Sequence, residues 1–254
     1  MKNISNNIIL EINGDKGLDY IANSLQLEWG KYQVYNIINV PKTDYALFYE
    51  NLATQLGTIE ACRPVNDKSK EFSKSRDIKP DPSVYHFYAA KTRQPLHTDH
   101  AHYPLSQSPD WVYMYCLEAS DFGGTTRILS LSKLKKIMEQ YNPKLLEKLS
   151  INASYGYVGP NGDEIHTKPI LFNDIINWNY WQIKPKINSK EVLKVREEFF
   201  RFLEDVIGDG CMYDFSKIWS KGDLIIFNDK KVMHGRDAFL GDRWLKTFSL
   251  FNKK

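Results

Sequence analysis

The chain has 254 residues, 42% of them hydrophobic, which is enough to build one large domain with a sizeable core. Its 34 basic and 31 acidic residues are interleaved and leave a formal net charge of +3, which argues against an extended nucleic-acid-binding surface. The N-terminal apolar run, residues 8–12, is too short for a signal peptide or a membrane span. Cys62, Cys116 and Cys211 show neither disulfide nor zinc-ribbon spacing. We therefore expect a single cytoplasmic domain, residues 1–254, that binds neither nucleic acid nor membrane.

The predicted elements are short strands interrupted by a few helices. The first predicted helix lies in "PKTDYALFYENLATQLG", with Thr43 as its cap and Gly57 as its end. After it come strands at "SVYHFYAA", "DWVYMYCLEA" and "TRILS", and two helices in "SLSKLKKIMEQYNPKLLEKL" split at Asn142-Pro143. A strand at "PILFN", a helix from an Asn188 cap to Gly208, and strands at "DLIIFND" and "LKTFSLF" complete the chain. Helices inserted among short strands favour a mainly β fold, a sandwich or jelly roll, over an alternating βαβ sheet.

Three histidines and an aspartate occur within the ten residues "PLHTDHAHYP", in a chain with only six histidines. If this segment is a strand, alternate side chains share a face and His97 lies beside Asp99. That pair offers one nitrogen and one oxygen to a metal ion. Because polar residues also gather in solvated loops, the motif needs a third ligand before it indicates a metal site.

The segment "KGDLIIFNDKKVMHGRDAFLGDRWLKT" supplies a candidate third ligand in His234. A turn at residues 221–223 leads into an apolar strand that we expect to end near this histidine. Two histidines and one carboxylate on one side of an octahedral ion form the facial triad that suits non-haem Fe(II), whereas zinc prefers a closed tetrahedron. Arg243 follows nine positions later (243 − 234), close enough for the next strand of the same sheet. Its guanidinium can bind the distal end of a dicarboxylate in a bidentate pair.

These residues resemble the taurine dioxygenase-like branch of the Fe(II)/2-oxoglutarate-dependent oxygenases, which includes the clavaminate synthase-like enzymes. The resemblance runs from about Tyr85 to Phe248 and is carried by "LHTDHAHYP", "YCLEASDFGGTTRILS" and "KGDLIIFNDKKVMHGRDAFLGDRWL", in the family's order. It implies a mainly β fold with inserted helices, a double-stranded β-helix (jelly roll). It also implies Fe(II), 2-oxoglutarate and O₂ as cofactor and cosubstrates. The family pattern puts iron on His97, Asp99 and His234, and 2-oxoglutarate on Thr126 and Arg243.

The chain departs from the family pattern at two places. It carries Asn228-Asp229 where members commonly carry Asp-Asn, which affects how the turn before His234 is held. It carries Thr247 where members often have a second arginine that helps to hold an anionic group of the substrate, so a sulfonate such as taurine is not supported. The N-terminal third carries little of the resemblance, and no substrate contact is transferred to it.

Other polar residues near the motif have less specific interpretations. His86 is a candidate substrate-binding residue or a core histidine, and Arg93 is a candidate partner for a substrate carboxylate. His100 and His102 are interpreted as surface or pocket-rim histidines. For Arg236 we favour a structural role, paired with a nearby carboxylate.

The sequence therefore predicts a dioxygenase that hydroxylates a small polar metabolite, such as an amino acid or derivative, free or tethered to a carrier protein. Desaturation, cyclisation and epimerisation use the same ligands and remain alternatives, as do a metal-binding jelly roll without turnover and a zinc hydrolase. Asp99 argues against halogenation, because the family's halogenases lack this carboxylate. A homo-oligomer is a further expectation, since family members often form dimers.

Overall fold

Two β-sheets face each other in the parts of the chain that the computed structural model describes, which are residues 8–41, 45–61, 73–83, 87–150, 155–159, 162 and 165–253. The strands are β1 (Ile9–Asn13), β2 (Val34–Ile38), β3 (Gly57–Ile59), β4 (Arg76–Ile78), β5 (Gln94–His97), β6 (Trp111–Glu118), β7 (Phe122–Gly123), β8 (Thr126–Ser130), β9 (Tyr155–Val158), β10 (Ile165–Lys168), β11 (Leu171–Phe172), β12 (Ile175–Ile176), β13 (Phe215–Lys217), β14 (Leu224–Asn228), β15 (Val232–Arg236), β16 (Phe239–Leu240) and β17 (Trp244–Asn252). The helices are α1 (Leu18–Glu28), α2 (Tyr45–Leu56), α3 (Leu131–Tyr141), α4 (Pro143–Ser150) and α5 (Lys190–Arg201).

The larger sheet has the strand order β1-β2-β14-β6-β17-β3, and β4 pairs with β17 at the same edge. The smaller sheet has the order β13-β8-β15-β5. Because side chains alternate along a strand, each sheet has one inner and one outer face. Met114 and Leu245 of the large sheet and Ile128 of the small sheet meet in one buried inner cluster. Two facing sheets with few helices form the predicted double-stranded β-helix, so the expected fold class is confirmed.

Helices cover the outer face of each sheet. On the large sheet, Tyr49 and Leu52 of α2 pack against Tyr113 and Phe248. On the small sheet, Leu129 and Met233 pack against the segment between β8 and β13, which contains α3, α4 and α5. No helix in the described ranges has the length and apolar character needed to cross a bilayer.

Two helix predictions are confirmed in position, and one cap prediction is wrong. The helical segment is interrupted at Asn142-Pro143, as predicted, where α3 ends and α4 begins. The long helix begins with Ser189 as its cap, because the Ser189 hydroxyl accepts the N–H of Val192. Asn188 instead uses its amide to bind the N–H and carbonyl of Gly156. After α5 the helix continues as a π-helix to Gly208, the predicted end, and the predicted Thr43 cap lies outside the described residues.

Most predicted strands form where expected. "DWVYMYCLEA", "TRILS", "DLIIFND" and "LKTFSLF" contain β6, β8, β14 and β17, and "PILFN" contains only the two residues of β11. The prediction for "SVYHFYAA" is wrong over Phe87–Ala89, which form a 3-10 turn, and residues 84–86 lie outside the described chain. Carbonyls of this turn and of the residues after it accept hydrogen bonds from Arg236 rather than from a strand neighbour.

Candidate metal centre

Two neighbouring strands bring His97 and His234 together across 137 positions of sequence (234 − 97). β5 and β15 run antiparallel with His234 directly opposite His97, and the two rings lie 4.2 Å apart between centroids. The prediction that the apolar strand after residues 221–223 ends near His234 is wrong. That strand, β14, ends at Asn228, and His234 lies in the middle of the next strand, β15. The chain therefore passes from the large sheet to the small sheet in the turn between β14 and β15.

Asp99 lies in a turn after β5 and not on the strand, so the predicted strand alternation is wrong at this residue. Its carboxylate still returns to the two histidines. Asp99 Oδ1 is 3.3 Å from His97 Nε2 and 3.7 Å from His234 Nε2. One ligand atom from each of the three residues lies within 4.8 Å of the others, which is a spacing that one metal ion can bridge.

The turn that carries Asp99 is held by Asp229, from the turn between β14 and β15. The backbone N–H groups of Asp99 and His100 donate to the two carboxylate oxygens of Asp229 at 3.0 and 2.9 Å. The His100 ring binds Asp229 through Nδ1 at 2.8 Å and Ser249 through Nε2 at 2.7 Å. His100 is therefore buried, and its interpretation as a surface or rim histidine is wrong. Asn228-Asp229 thus holds the first metal motif in place.

Hydrogen bonds and neighbouring charges orient the three side chains. His97 Nδ1 lies 2.9 Å from the Pro95 carbonyl and donates to it, which leaves Nε2 on the side of Asp99, where the Gln94 amide nitrogen also lies 3.0 Å away. Burial, and then the nearby His97, lowers the pKa of His234 to about 4, so this imidazole is neutral at pH 7. Burial raises the pKa of Asp99, but His234 and His97 outweigh it and hold that pKa below its usual range. Burial lowers the pKa of His97, but the hydrogen bond and charge of Asp99 outweigh it and raise that pKa above its usual value, so His97 would release any proton it carries when a metal ion binds. Two imidazoles and a carboxylate are the donor set of an Fe(II) facial triad, so the residues present fit that ion.

A buried cation lies on the large sheet near the centre. Arg243 directly precedes β17 and is 4% exposed, and among the described residues no carboxylate forms an ion pair with it. Its Nε is buried and finds no hydrogen-bond acceptor within that part of the chain. Burial lowers its pKa to about 9. The prediction that Arg243 shares a sheet with His234 is wrong, because β17 belongs to the large sheet and β15 to the small one.

Trp219 links Arg243 with Thr126. Thr126 begins β8 and is buried, and its hydroxyl accepts the indole N–H of Trp219 at 2.9 Å. The Arg243 guanidinium carbon lies 6.0 Å from the centroid of the same indole ring. Thr126 and Arg243 thus both adjoin one aromatic ring, which belongs to the inner cluster between the sheets. The sequence interpretation did not single out Trp219, although an aromatic residue shortly before the His234 hairpin was a usable signal.

The glycine pair before Thr126 permits a close approach of two strands. Gly123 and Gly124 have φ of +77° and +71°, a region that side chains rarely adopt. A Cβ at Gly123 would lie 2.3 Å from the Ala238 carbonyl oxygen, and one at Gly124 would lie 3.4 Å from Arg243 Cδ. The pair is not a simple hairpin turn, since β7 pairs with the distant β16. A larger residue at Gly123 would therefore push β7 away from the backbone just before β16.

The remaining candidate residues occupy different surroundings. Arg93 forms a two-pronged ion pair with Glu204, so its charge is already matched. His102 Nδ1 accepts a hydrogen bond from the Gln182 amide, and burial lowers the pKa of this histidine to about 3. Arg236 donates to the carbonyls of residues 87, 88, 90 and 92, a structural role, although its partners are carbonyls and not the predicted carboxylate. His86 lies outside the described residues.

Comparisons with known proteins identify the family and the fold. The profile of the family described as "Taurine catabolism dioxygenase TauD, TfdA family" matches residues 29–248. A solved asparagine oxygenase in complex with Fe(II), 3-hydroxyasparagine and succinate is similar, with TM-score 0.64 at 16% identity over 92% of this chain and 79% of that one. A search of curated protein sequences found no match.

Two further solved structures share the fold. PvcB from Pseudomonas aeruginosa has TM-score 0.59 at 17% identity over 95% of this chain and 85% of its own. The non-haem iron oxygenase OrfP, in complex with Fe and α-ketoglutaric acid, has TM-score 0.62 at 14% identity over 93% of this chain and 79% of its own. Identities this low relate the folds and leave residue roles to be argued from this chain.

Proposed function

The chain belongs to the TauD, TfdA family of dioxygenases, and from this premise we propose that His97, Asp99 and His234 bind its iron and that Thr126 and Arg243 bind its 2-oxoglutarate. The enzyme is an Fe(II)- and 2-oxoglutarate-dependent dioxygenase. When bound, these groups supply O₂-dependent oxidation of a C–H bond with release of succinate and CO₂.

Arg243 is the observation that carries the cosubstrate assignment. A buried guanidinium is costly unless an anion compensates it, and no carboxylate of the described residues does so. A dicarboxylate with one end at the metal ion brings its other end to such a cation. Neither a zinc hydrolase nor a metal-binding protein without turnover requires this buried cation beside Thr126, so the pair favours the oxygenase over both.

Each protein group has a separate task in this proposal. His97, Asp99 and His234 would hold the ion through three protein ligands, so that coordination positions would remain for the cosubstrate and O₂. Asp229 holds the Asp99 turn, so that the carboxylate meets the two histidines without rearrangement. Arg243 and Thr126 fix the far end of 2-oxoglutarate, and the apolar inner cluster around Met114 and Leu245 excludes water from it.

For the substrate we propose a small polar metabolite of the amino-acid class, with hydroxylation as the outcome. Solved structures with this fold include an asparagine oxygenase and OrfP in complex with (3S)-hydroxy-L-Arg, which supports that class. Desaturation, cyclisation and epimerisation require the same ligands and are separated from hydroxylation by the mass of the product. We also propose that the enzyme is located in the cytoplasm and that it forms a homo-oligomer.

Succinate formation tests the function directly. Purified chain given Fe(II), 2-oxoglutarate and O₂ should release succinate slowly without substrate, and faster with an amino acid that it hydroxylates. The same chain given Zn(II) should release none. If it hydrolyses esters or amides with Zn(II) and never forms succinate with Fe(II), the zinc hydrolase replaces this proposal.

A further inference from the structure

Arg76 is a second cation on the inner face of the large sheet. β4 pairs with β17 so that Arg76 lies opposite Thr247 and Ile78 lies opposite Leu245. Leu245 belongs to the inner cluster and Ile78 packs against it, so Arg76 and Thr247, two positions away on their strands, face the same interior. Because β4 lies at the edge of the sheet, the Arg76 guanidinium emerges at the rim of the space between the two sheets.

This rim adjoins the candidate metal centre. Ser249, two positions after Thr247 on the same face of β17, contacts His100, the residue next to Asp99. Arg243 directly precedes β17, and its guanidinium lies 6.0 Å from the ring of Trp219, a member of the same inner cluster. The positive charge of Arg76 also contributes to the low pKa of His102, three residues after Asp99. Arg76 therefore lies beside the space between the iron ligands and the proposed 2-oxoglutarate end.

Arg76 has no acidic partner in the part of the chain that the structure describes. It is half-buried, its Nε is inaccessible and lacks a hydrogen-bond acceptor there, and its guanidinium lies 5.9 Å from the centroid of the Tyr88 ring. The half-buried Arg127 and Arg196 differ in this respect, since each forms an ion pair with a carboxylate. A guanidinium at the rim of an active site, without a carboxylate partner among the described residues, is suited to bind the carboxylate of a ligand.

We propose that Arg76 binds the carboxylate of the substrate, and so makes a free acid, rather than an ester, amide or carrier-bound acyl group, the form that this enzyme accepts. The inference rests on the proposed function, because it places the substrate between Arg76 and the iron ligands. Thr247 has a short side chain and leaves room for the guanidinium of its strand partner. A substrate tethered to a carrier through its carboxyl group offers no anion to Arg76 and is disfavoured.

Binding to a panel of defined probes tests this inference. The anaerobic complex of the chain with Fe(II) and 2-oxoglutarate is titrated with each of the twenty L-amino acids and with the matching carboxamides, and binding is followed by calorimetry and by the change in the visible spectrum. We expect at least one free acid to bind and its carboxamide to bind about 30-fold more weakly or worse.

Variants locate the effect at Arg76. Arg76→Met should weaken binding of the free acid by about 30-fold or more and leave binding of the carboxamide unchanged. Arg76→Lys should restore part of the affinity for the acid, since lysine keeps the charge and loses the two-pronged geometry. Lys246→Gln is the matched control, because Lys246 neighbours Thr247 on β17 but binds Glu50 on the outer face. It should bind the acid like the parent.

The outcomes separate this inference from the function on which it rests. Equal binding of acid and carboxamide, no binding of any free acid, or full affinity in Arg76→Met each overturns the role of Arg76. In all three cases the proposed function stands if the parent and Arg76→Met still bind Fe(II) and 2-oxoglutarate. Failure of the parent to bind 2-oxoglutarate overturns the proposed function, and the inference with it.

Discussion

A buried guanidinium without an acidic partner is costly to keep in a folded protein, and within the described chain Arg243 is such a group. Its pKa of about 9 reflects that burial, yet the side chain remains charged at pH 7. A permanent cation between two sheets is explained if the protein is built to bind an anion there. The cost in the unliganded protein then becomes binding energy for the ligand.

Arg243→Met should weaken the binding of 2-oxoglutarate by about 2–5 kcal/mol, because the substitution removes one partner of a buried charge pair. Fe(II) affinity should stay the same, since no metal ligand changes. Without ligands the variant should unfold at a higher temperature than the parent, because the uncompensated charge is gone. Calorimetric titration of 2-oxoglutarate and thermal unfolding measure these effects.

Arg127→Gln is the control for that variant. Arg127 lies on β8 next to Thr126, but its guanidinium pairs with Asp237 and is partly exposed. It should bind 2-oxoglutarate like the parent. If Arg243→Met also binds 2-oxoglutarate normally, a different cation holds the cosubstrate and the assignment of Arg243 is wrong.

The candidate metal centre depends on a contact between two turns, one after β5 and one between β14 and β15. Asp229 lies between β14 and β15, and it fixes the turn after β5 through two backbone N–H groups and the His100 ring. An acceptor with a single oxygen cannot bind all three donors. The orientation of Asp99 therefore depends on a residue 130 positions away (229 − 99).

Asp229→Asn should lower Fe(II) affinity by about 10–100-fold, the usual effect of losing a group that orients a metal ligand. Asp223→Asn is the control, since Asp223 is equally buried, at the other end of β14, and pairs with Lys217 at 2.6 Å. Both variants should lose stability, but only Asp229→Asn should lose iron. Equal iron affinity in the two variants would limit Asp229 to a role in folding.

β7 and β16 approach each other closely beside Arg243, the residue proposed to bind 2-oxoglutarate. Gly123→Ala combines a φ of +77° with a Cβ 2.3 Å from the Ala238 oxygen, so it should cost about 3 kcal/mol or more of unfolding free energy and weaken 2-oxoglutarate. Gly30→Ala has a similar φ of +79° but meets no heavy atom within 4 Å, and should cost only about 1–2 kcal/mol. Denaturant unfolding of both variants decides the point, and equal losses would mean that the contact does not matter.

Local patterns predicted the elements better than the connections between them. β6, β8, β14 and β17 follow from runs of β-branched and aromatic residues, and the break at Asn142-Pro143 follows from proline chemistry. The cap of α5 was misassigned because two adjacent polar residues both suit that position, and tertiary contact with Gly156 selects between them.

The sequence predicted which residues form the candidate metal centre, but it did not predict the contacts that hold them in place. His97, Asp99 and His234 stand out by residue type and spacing. The buried role of His100 depends on Asp229 and Ser249, each more than a hundred positions away, and no local pattern reveals such contacts. Arg243 was expected on the sheet of His234 because nine residues suffice for the next strand, whereas the chain crosses to the large sheet instead.

For the molecule as a whole, the site draws on both sheets. The small sheet carries His97, His234 and Thr126, and the large sheet carries Arg243 and Arg76. In the proposed function, iron and cosubstrate would therefore connect the two sheets, and ligand binding should stabilise the fold as one unit. The proposed substrate position, between Arg76 and the iron ligands, lies at the edge where β4 leaves this space accessible.

The anaerobic visible spectrum tests the central claim most directly, because a charge-transfer band forms only when 2-oxoglutarate chelates the bound Fe(II). We predict that the parent forms this band with one equivalent each of Fe(II) and 2-oxoglutarate, and that His234→Ala, which lacks one of three protein ligands, does not form it at the same concentrations. A parent that binds Fe(II) tightly but shows no band at saturating 2-oxoglutarate, or a His234→Ala variant with the parent's band, would contradict the account.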